Sequence, residues 1–251
     1  MVERWRASHL KTEEIPLLVL AGGKATRLAH LASGTAKYLQ PIKDSVVFAD
    51  VHLRWVAKQG FRRVILSIGH LGEQIRDHCA DGKRYGLEIS YLEDGPKPIG
   101  TGAAVLAALE NSSEVLAVTY GDTVLNFNVG GFLTEFELSQ KVSGMTLYRN
   151  TLVGHVCNAE LDGQLALYDK RQPGAQWTYI DYGFMIFKRE ARLAFGHEIP
   201  LDLADPLSQL SRKSQVFAFP VSHRFWEIGS LNSLEEFRKA FPDDIFGPVS
   251  L

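Results

Sequence analysis

The first apolar run along the chain is continuous rather than alternating. Residues 15–21 (IPLLVLA) form the first run. An uninterrupted apolar run of this length is what a strand buried on both faces of a parallel sheet requires. Gly22 and Gly23 end it. The stretch 45–58 has helical amphipathic spacing and stops before Gly60, which leads into a second buried strand over 63–68. The pattern then predicts a helix at 71–79, a strand at 87–92, a helix at 102–109 and a strand at 115–119. Strands and helices alternating in this way predict a doubly wound α/β sheet, with the ligand at the carboxyl ends of the strands.

The pattern changes in the second half. Strand-like runs at 144–149, 154–161 and 164–169 are separated by turn signals such as Asp162-Gly163. Another strand is predicted at 182–187, helical stretches near 189–195 and 203–211, a strand at 215–220 and a closing amphipathic helix at 231–241. No Pro/Ser-rich linker, repeat or low-complexity tract divides the chain. The expectation is therefore one continuous domain, with a nucleotide-binding half over about 15–130 and an acceptor half over about 131–251.

Composition narrows the partners. The chain has 251 residues, 45% hydrophobic and 22% charged, and a formal net charge of -2. Such a chain has no global positive field to hold nucleic acid or an anionic membrane, so polyanions must be met by local cations. Cys79 and Cys157 are far apart and lack CxxC spacing, which argues against a disulfide framework or a zinc site. The N-terminal residues lack an apolar h-region and no run is long enough to span a bilayer, so cytoplasm is the expected location. A homo-oligomer is a possible assembly.

The candidate chemistry starts at the end of the first run. Leu20, Ala21, Gly22 and Gly23 form a strand end where backbone N–H groups can approach an anion without Cβ interference. Arg27 and Lys37 follow, within reach of the same phosphates. Taken alone, the segment also reads as a tight turn with two surface cations. It has neither the GK[ST] ending of a Walker loop nor a GxGxxG fingerprint. The string AGGKATRL (21–28) followed by AKYLQPI (36–42) resembles the sugar-1-phosphate nucleotidyltransferase family, whose usual form is (L/A)-A-G-G-x-G-T-R-L and then P-K-P-L-x-P. Ala25 departs from a usual glycine, and Ala36 and Tyr38 replace the two prolines around the lysine.

Later segments continue the resemblance in order. PIGTGAA (98–104) is similar to the family's base-contacting turn, which implicates Gly100 and Thr101, and Glu93 or Asp94 just ahead of it can accept from guanine N1–H and N2–H₂. Both acids also read as solvated turn residues. YGD (120–122) and FWEIGS (225–230) resemble the two metal segments, which implies Mg²⁺ held by Asp122 and by Glu227, where the family usually has Asp. LYDKRQPG (167–174) places Asp169 and Lys170 at the family's sugar and sugar-phosphate pair, IDYGFMIF (180–187) places Gly183 against the sugar, and Asn158 falls near a sugar contact. Asp169 and Lys170 read equally as an ion pair at a strand end.

The resemblance implies a Rossmann-like doubly wound mixed sheet of the nucleotidyltransferase (GT-A-like) type. It further implies transfer of a nucleoside monophosphate from an NTP to a sugar 1-phosphate with release of pyrophosphate, Arg27 and Lys37 acting as catalytic cations. The segments look most like guanylyltransferases for mannose- or manno-heptose-1-phosphate. A nucleotidyltransferase of the same fold using CTP or UTP and another phosphorylated acceptor stays open, as do two other classes: a GT-A glycosyltransferase, although Gly121-Asp122-Thr123 is not DxD, and a catalytically silent regulatory paralogue.

Overall fold

The computed structural model describes residues 10–23, 34–95, 97–111, 114–151 and 156–241. The first half builds β1 (Leu17–Leu20), β2 (Pro41–Lys43), β3 (Val46–Val47), α1 (Phe48–Lys58), β4 (Arg63–Ile68), α2 (Gly72–Cys79), β5 (Glu88–Glu93), α3 (Thr101–Asn111), β6 (Val115–Tyr120) and β7 (Thr123–Val124). The second half adds α4 (Val129–Ser139), β8 (Ser143–Arg149), β9 (Ala159–Asp162), β10 (Leu165–Tyr168), β11 (Tyr179–Lys188), α5 (Ala204–Arg212), β12 (Val216–Val221), β13 (Trp226–Glu227) and α6 (Leu231–Ala240).

Nine strands form one mixed sheet in the order β5-β4-β1-β6-β11-β8-β12-β10-β9. The first four run parallel, and β11 pairs antiparallel with both β6 and β8. A strand of the second half thus sits directly against a strand of the first, which joins the expected halves into one sheet. One buried cluster packs α1, α2, α4 and α6 on one face, including Phe48, Ile75, Phe132 and Phe237. A second packs α3 and α5 on the other, including Val105, Leu109, Leu207 and Leu210. The doubly wound mixed sheet is therefore the observed architecture, and β1, buried along its length, carries the continuous apolar run that layer demands.

Several local expectations shift. The predicted helix at 45–58 starts only at Phe48, because Val46 and Val47 pair with β2, and Asp50 accepts the Val47 N–H at 3.1 Å to cap the shorter helix. The helical stretch near 189–195 is a 3-10 segment, Arg189–Ala194. The strand expected over 154–161 begins at Ala159, residues 152–155 lying outside the described residues. Helix α4 was not foreseen. Its N-terminus carries Gly130 and Gly131, both poor helix formers, and it is started by Asn128, whose side chain accepts the Gly131 N–H at 2.9 Å. Among the described residues no helix is long and apolar enough to cross a membrane.

Candidate active site

The carboxyl ends of β4, β1 and β6 meet at a glycine crossing. Gly121 donates its N–H to the Leu20 carbonyl at 3.0 Å, and a Cβ on it would lie 2.9 Å from both Leu20 O and Ala21 Cα. Only glycine permits that approach, and it sets Asp122 beside the loop after β1. Leu20, Gly22 and Gly23 then line a cleft of about 280 Å³ with Ser67, Asp94, Pro98, Gly100, Thr101 and Ala104. Ala21 is buried under this cleft, its N–H bonded to Ser67 O at 2.9 Å. The expected nucleotide-binding residues Leu20, Gly22, Gly23, Gly100 and Thr101 are thus brought together.

Glu93 does not line this cleft. Its carboxylate is turned to the Arg76 guanidinium, which also lies 4.4 Å over the Tyr91 ring, on the α2 side of the sheet edge. The next residue, Asp94, faces the cleft instead, its Oδ2 3.4 Å from where a Cβ on Gly22 would be. Successive side chains at a strand end point to opposite sides, so the one-residue difference decides which acid reaches the cleft. Burial raises the Asp94 carboxyl above its ordinary value.

Lys37 Nζ lies 2.5 Å from Asp122 Oδ2, and the two side chains are 14% and 27% exposed. The segment before Lys37 is held by Gln74 of α2, whose Oε1 accepts from Ala36 N–H at 2.9 Å and whose Nε2 donates to Gly34 O at 2.7 Å. After it, Tyr38 is fully buried and bonds His52 Nδ1 of α1 at 2.8 Å. His52 is stacked between Phe48 and Trp55, and burial drives its pKa down to about 3, so the ring is neutral. Where the family uses two prolines to stiffen this turn, the present chain uses hydrogen bonds to two helices. Tyr38→Phe deletes only the hydroxyl and leaves a buried ring nitrogen without its partner. The expected result is a loss of about 1–3 kcal/mol of stability, with kcat falling more than either KM; thermal melts and steady-state kinetics check it. Arg27 lies outside the described residues.

Asp122 and Glu227, the expected metal ligands, come from segments more than a hundred residues apart. Strands β7 and β13 pair antiparallel with Glu227 opposite Thr123, and Ile228 N–H donates to Asp122 O at 2.9 Å. The two residues are therefore neighbours through the backbone. Among the described residues no cluster of three or more His, Cys, Asp or Glu gathers around one point. Two carboxylates completed by waters and phosphate oxygens are, however, what a magnesium ion ordinarily takes from a protein, so the donor set fits that ion.

On the acceptor side the expected residues divide. Lys170 Nζ pairs with Asp202 Oδ2 at 3.1 Å with both side chains well exposed, a loose pair from which the ammonium can turn to a phosphate. Asp169 is a turn former: its Oδ1 accepts from Arg171 and Gln172 N–H at 3.0 and 2.9 Å, and its Oδ2 faces Arg212 at 3.4 Å. Oδ1 is thus committed to the turn that follows β10. Gly183, at φ +105, sits in the register shift of β11, with its N–H on Asp181 Oδ1 at 2.9 Å and its carbonyl accepting from Thr119 at 3.0 Å. Both its backbone N–H and its carbonyl are engaged inside the sheet. Asn158 joins the same region through its side chain, its Oδ1 accepting Asp181 N–H at 2.9 Å. Sequence reasoning passed over Asp181 and Tyr120, which meet here; the available signal was a carboxylate inside an otherwise apolar strand run.

Comparison with known proteins matches the first half. Residues 17–128 match the family model of the MobA-like NTP transferase domain. The D-glycero-alpha-D-manno-heptose 1-phosphate guanylyltransferase of Campylobacter jejuni is 30% identical over 112 residues, 45% of this chain and 49% of that protein. The glucose-1-phosphate thymidylyltransferase of Streptomyces antibioticus is 36% identical over 115 residues, 45% of this chain and 31% of that protein. The chain thus spans about half or less of the curated relatives it matches. The crystal structure of HddC from Yersinia pseudotuberculosis shares the fold, with a TM-score of 0.75 at 20% identity over 90% of this chain and 99% of that one. The stretch similar to the MobA-like NTP transferase domain runs from β1 past Asp122 and contains the cleft and the lysine–aspartate pair, and sugar-1-phosphate nucleotidyltransferases are among the relatives it resembles.

Proposed function

We propose that this protein transfers a nucleoside monophosphate from an NTP to a sugar 1-phosphate and releases pyrophosphate. The observation that carries the reading is the Lys37–Asp122 pair at the mouth of the glycine-lined cleft, with Glu227 brought beside Asp122 by β7 and β13. An oxygen of the sugar phosphate attacks the α-phosphorus, a new P–O bond forms, and the bond to the β-phosphate oxygen breaks. The obstacle is charge: like unit charges a few ångströms apart repel by about 4 kcal/mol at an effective dielectric near 20. A chain of net charge -2 must therefore gather cations locally. Lys37 stands on the nucleotide side and Lys170 on the acceptor side; Arg27 completes the set by resemblance. Mg²⁺, held by Asp122 and Glu227, would supply the remaining neutralisation of the triphosphate. The acceptor phosphate is already ionised, so positioning and electrostatics suffice without a covalent nucleophile.

The donor in this reading is GTP and the acceptor a mannose- or manno-heptose-type 1-phosphate. Asp94, rather than Glu93, is the acid placed to accept from guanine N1–H and N2–H₂. The relatives differ in base, with a guanylyltransferase and a thymidylyltransferase both among them. Pyrophosphate release measured with GTP, CTP, UTP and TTP against mannose 1-phosphate and manno-heptose 1-phosphate tests both levels. The expected result is Mg²⁺-dependent turnover fastest with GTP. A preference for a pyrimidine refutes the guanine assignment alone, and pyrophosphate release with none of them refutes the transferase reading.

A further inference from the structure

We infer that Asp202 is a positioning residue for the transfer: it holds the Lys170 ammonium in register with the loop that lines the nucleotide cleft. The inference rests on the reading under Proposed function and adds to it a residue that binds neither substrate. The main chain on both sides of Asp202 is stitched to that loop. Leu201 N–H donates to Ile99 O at 2.9 Å, Leu201 O accepts from Gly102 N–H at 2.8 Å, and Leu203 N–H donates to Thr101 Oγ1 at 3.0 Å. Gly100 and Thr101 line the cleft. The seam has no slack, since a Cβ on Gly102 would lie 3.0 Å from Leu201 O and 3.1 Å from the carbonyl carbon of Asp202. The carboxylate between these anchors serves α5 and the acceptor turn. Its Oδ1 accepts from Ala204 N–H at 3.0 Å where α5 begins, and its Oδ2 accepts from Lys170 Nζ at 3.1 Å.

The backbone under Lys170 is tied to the same helix. Strand β10 ends at Tyr168, whose N–H donates to Ser211 Oγ of α5 at 2.8 Å, and that hydroxyl donates to Ala166 O at 2.9 Å, both bonds being buried. Lys170 stands two residues beyond this tie with its side chain 55% exposed. A long chain left free there loses rotamer freedom when it grips a phosphate. Asp202 takes part of that loss beforehand. The ammonium has three N–H donors and spends one on the carboxylate, which leaves two for the phosphate of the acceptor. Burial pulls the Asp202 carboxyl upward, but the Ala204 N–H and the Lys170 ammonium outweigh it and hold the group below the ordinary carboxylate value. It is therefore charged at neutral pH. The neighbouring Arg171–Asp205 pair, at 2.9 Å, belongs to the same turn and involves no atom of Lys170, which makes Asp205 the natural control.

Asp202→Asn keeps the shape and an oxygen for the Ala204 N–H, but it turns an amide N–H₂ toward Lys170, so the hold on the lysine is lost and the helix start is kept. The experiment measures pyrophosphate release by Asp202→Asn, Asp205→Asn, Lys170→Ala and the Asp202→Asn/Lys170→Ala double variant, alongside thermal melts. The substrates are whichever of the two sugar 1-phosphates and four NTPs the wild type turns over fastest. For Asp202→Asn the expected sugar-phosphate KM is about fivefold higher, as an exposed ion pair at the upper end of its usual strength implies. The KM for the NTP and the melting temperature stay unchanged. Asp205→Asn leaves both KM values in place. On the Lys170→Ala background Asp202→Asn adds no further rise, because its effect runs through the lysine. A lowered or unchanged sugar-phosphate KM in Asp202→Asn, or an effect that adds in full to that of Lys170→Ala, overturns the inference while the transferase reading stands. A rise shared equally by both KM values does the same, since it marks a merely structural role. Wild-type protein that releases no pyrophosphate with any NTP overturns both.

Discussion

Asp122→Asn is expected to lower pyrophosphate release by about 10³-fold while the protein still folds. Removing a single preorganised electrostatic group typically costs about 10²–10³-fold, and Asp122 serves two ends. Its Oδ2 holds Lys37 Nζ at 2.5 Å, and its carboxylate is one of two that would hold the magnesium ion. Asparagine preserves the volume and a carbonyl for the lysine but removes the charge that a hard cation needs. The fold should survive because Asp122 contributes to β7–β13 through its backbone carbonyl, which accepts from Ile228 N–H whatever the side chain. A pyrophosphate assay paired with a thermal melt decides the matter. Turnover within tenfold of wild type would sink the assignment of Asp122.

The second large effect is expected at Gly100. Its φ is +90, and a Cβ placed on it would lie 2.4 Å from Leu201 O and 2.8 Å from Leu201 N. Those two atoms are engaged: Leu201 N–H donates to Ile99 O at 2.9 Å, and Leu201 O accepts from Gly102 N–H at 2.8 Å. Thr101 Oγ1 continues the seam by accepting Leu203 N–H at 3.0 Å. Gly100→Ala therefore meets both a left-handed backbone and rigid main-chain atoms that cannot yield as a flexible side chain would. The expected cost is about 2–4 kcal/mol of stability, together with a raised KM for the nucleotide, because the displaced loop lines its cleft. Gly23→Ala serves as the comparison, since a Cβ there meets nothing within 4 Å. Equal stability of the two variants would refute the close-approach argument.

The seam at Gly100 also shows why the site was partly readable. PIGTGAA announces a glycine-rich helix entry, and the resemblance implied a base contact. The partner that makes Gly100 obligatory is Leu201, a hundred residues away, and no local pattern names it. Glu93 and Asp94 make the same point at finer scale. Two adjacent acids look equivalent in a string, yet the end of β5 sends one to Arg76 and the other to the cleft. Asp169 matched a motif position, but the DKRQPG turn draws one of its oxygens onto the turn's backbone and the other faces Arg212.

The sequence by itself determined the sheet, because a continuous apolar run such as 15–21 has no stable place except a layer buried on both faces, and strand-like and helical segments alternate after it. It also carried the resemblance to nucleotidyltransferases, through an ordered set of short motifs with local backbone logic: glycines where a chain must pass close, and a lysine ten residues on from Arg27. Tertiary structure alone decided which groups meet. The pairing of β7 with β13 sets Glu227 beside Asp122, Gln74 and His52 replace two prolines in steadying Lys37, and the insertion of β11 between β6 and β8 turns Asp181 toward Tyr120. The physical reason is range. Burial periodicity is set by neighbours three or four residues along the chain, whereas hydrogen bonds and charge pairs form between whatever side chains the packed layers bring within about 3 Å.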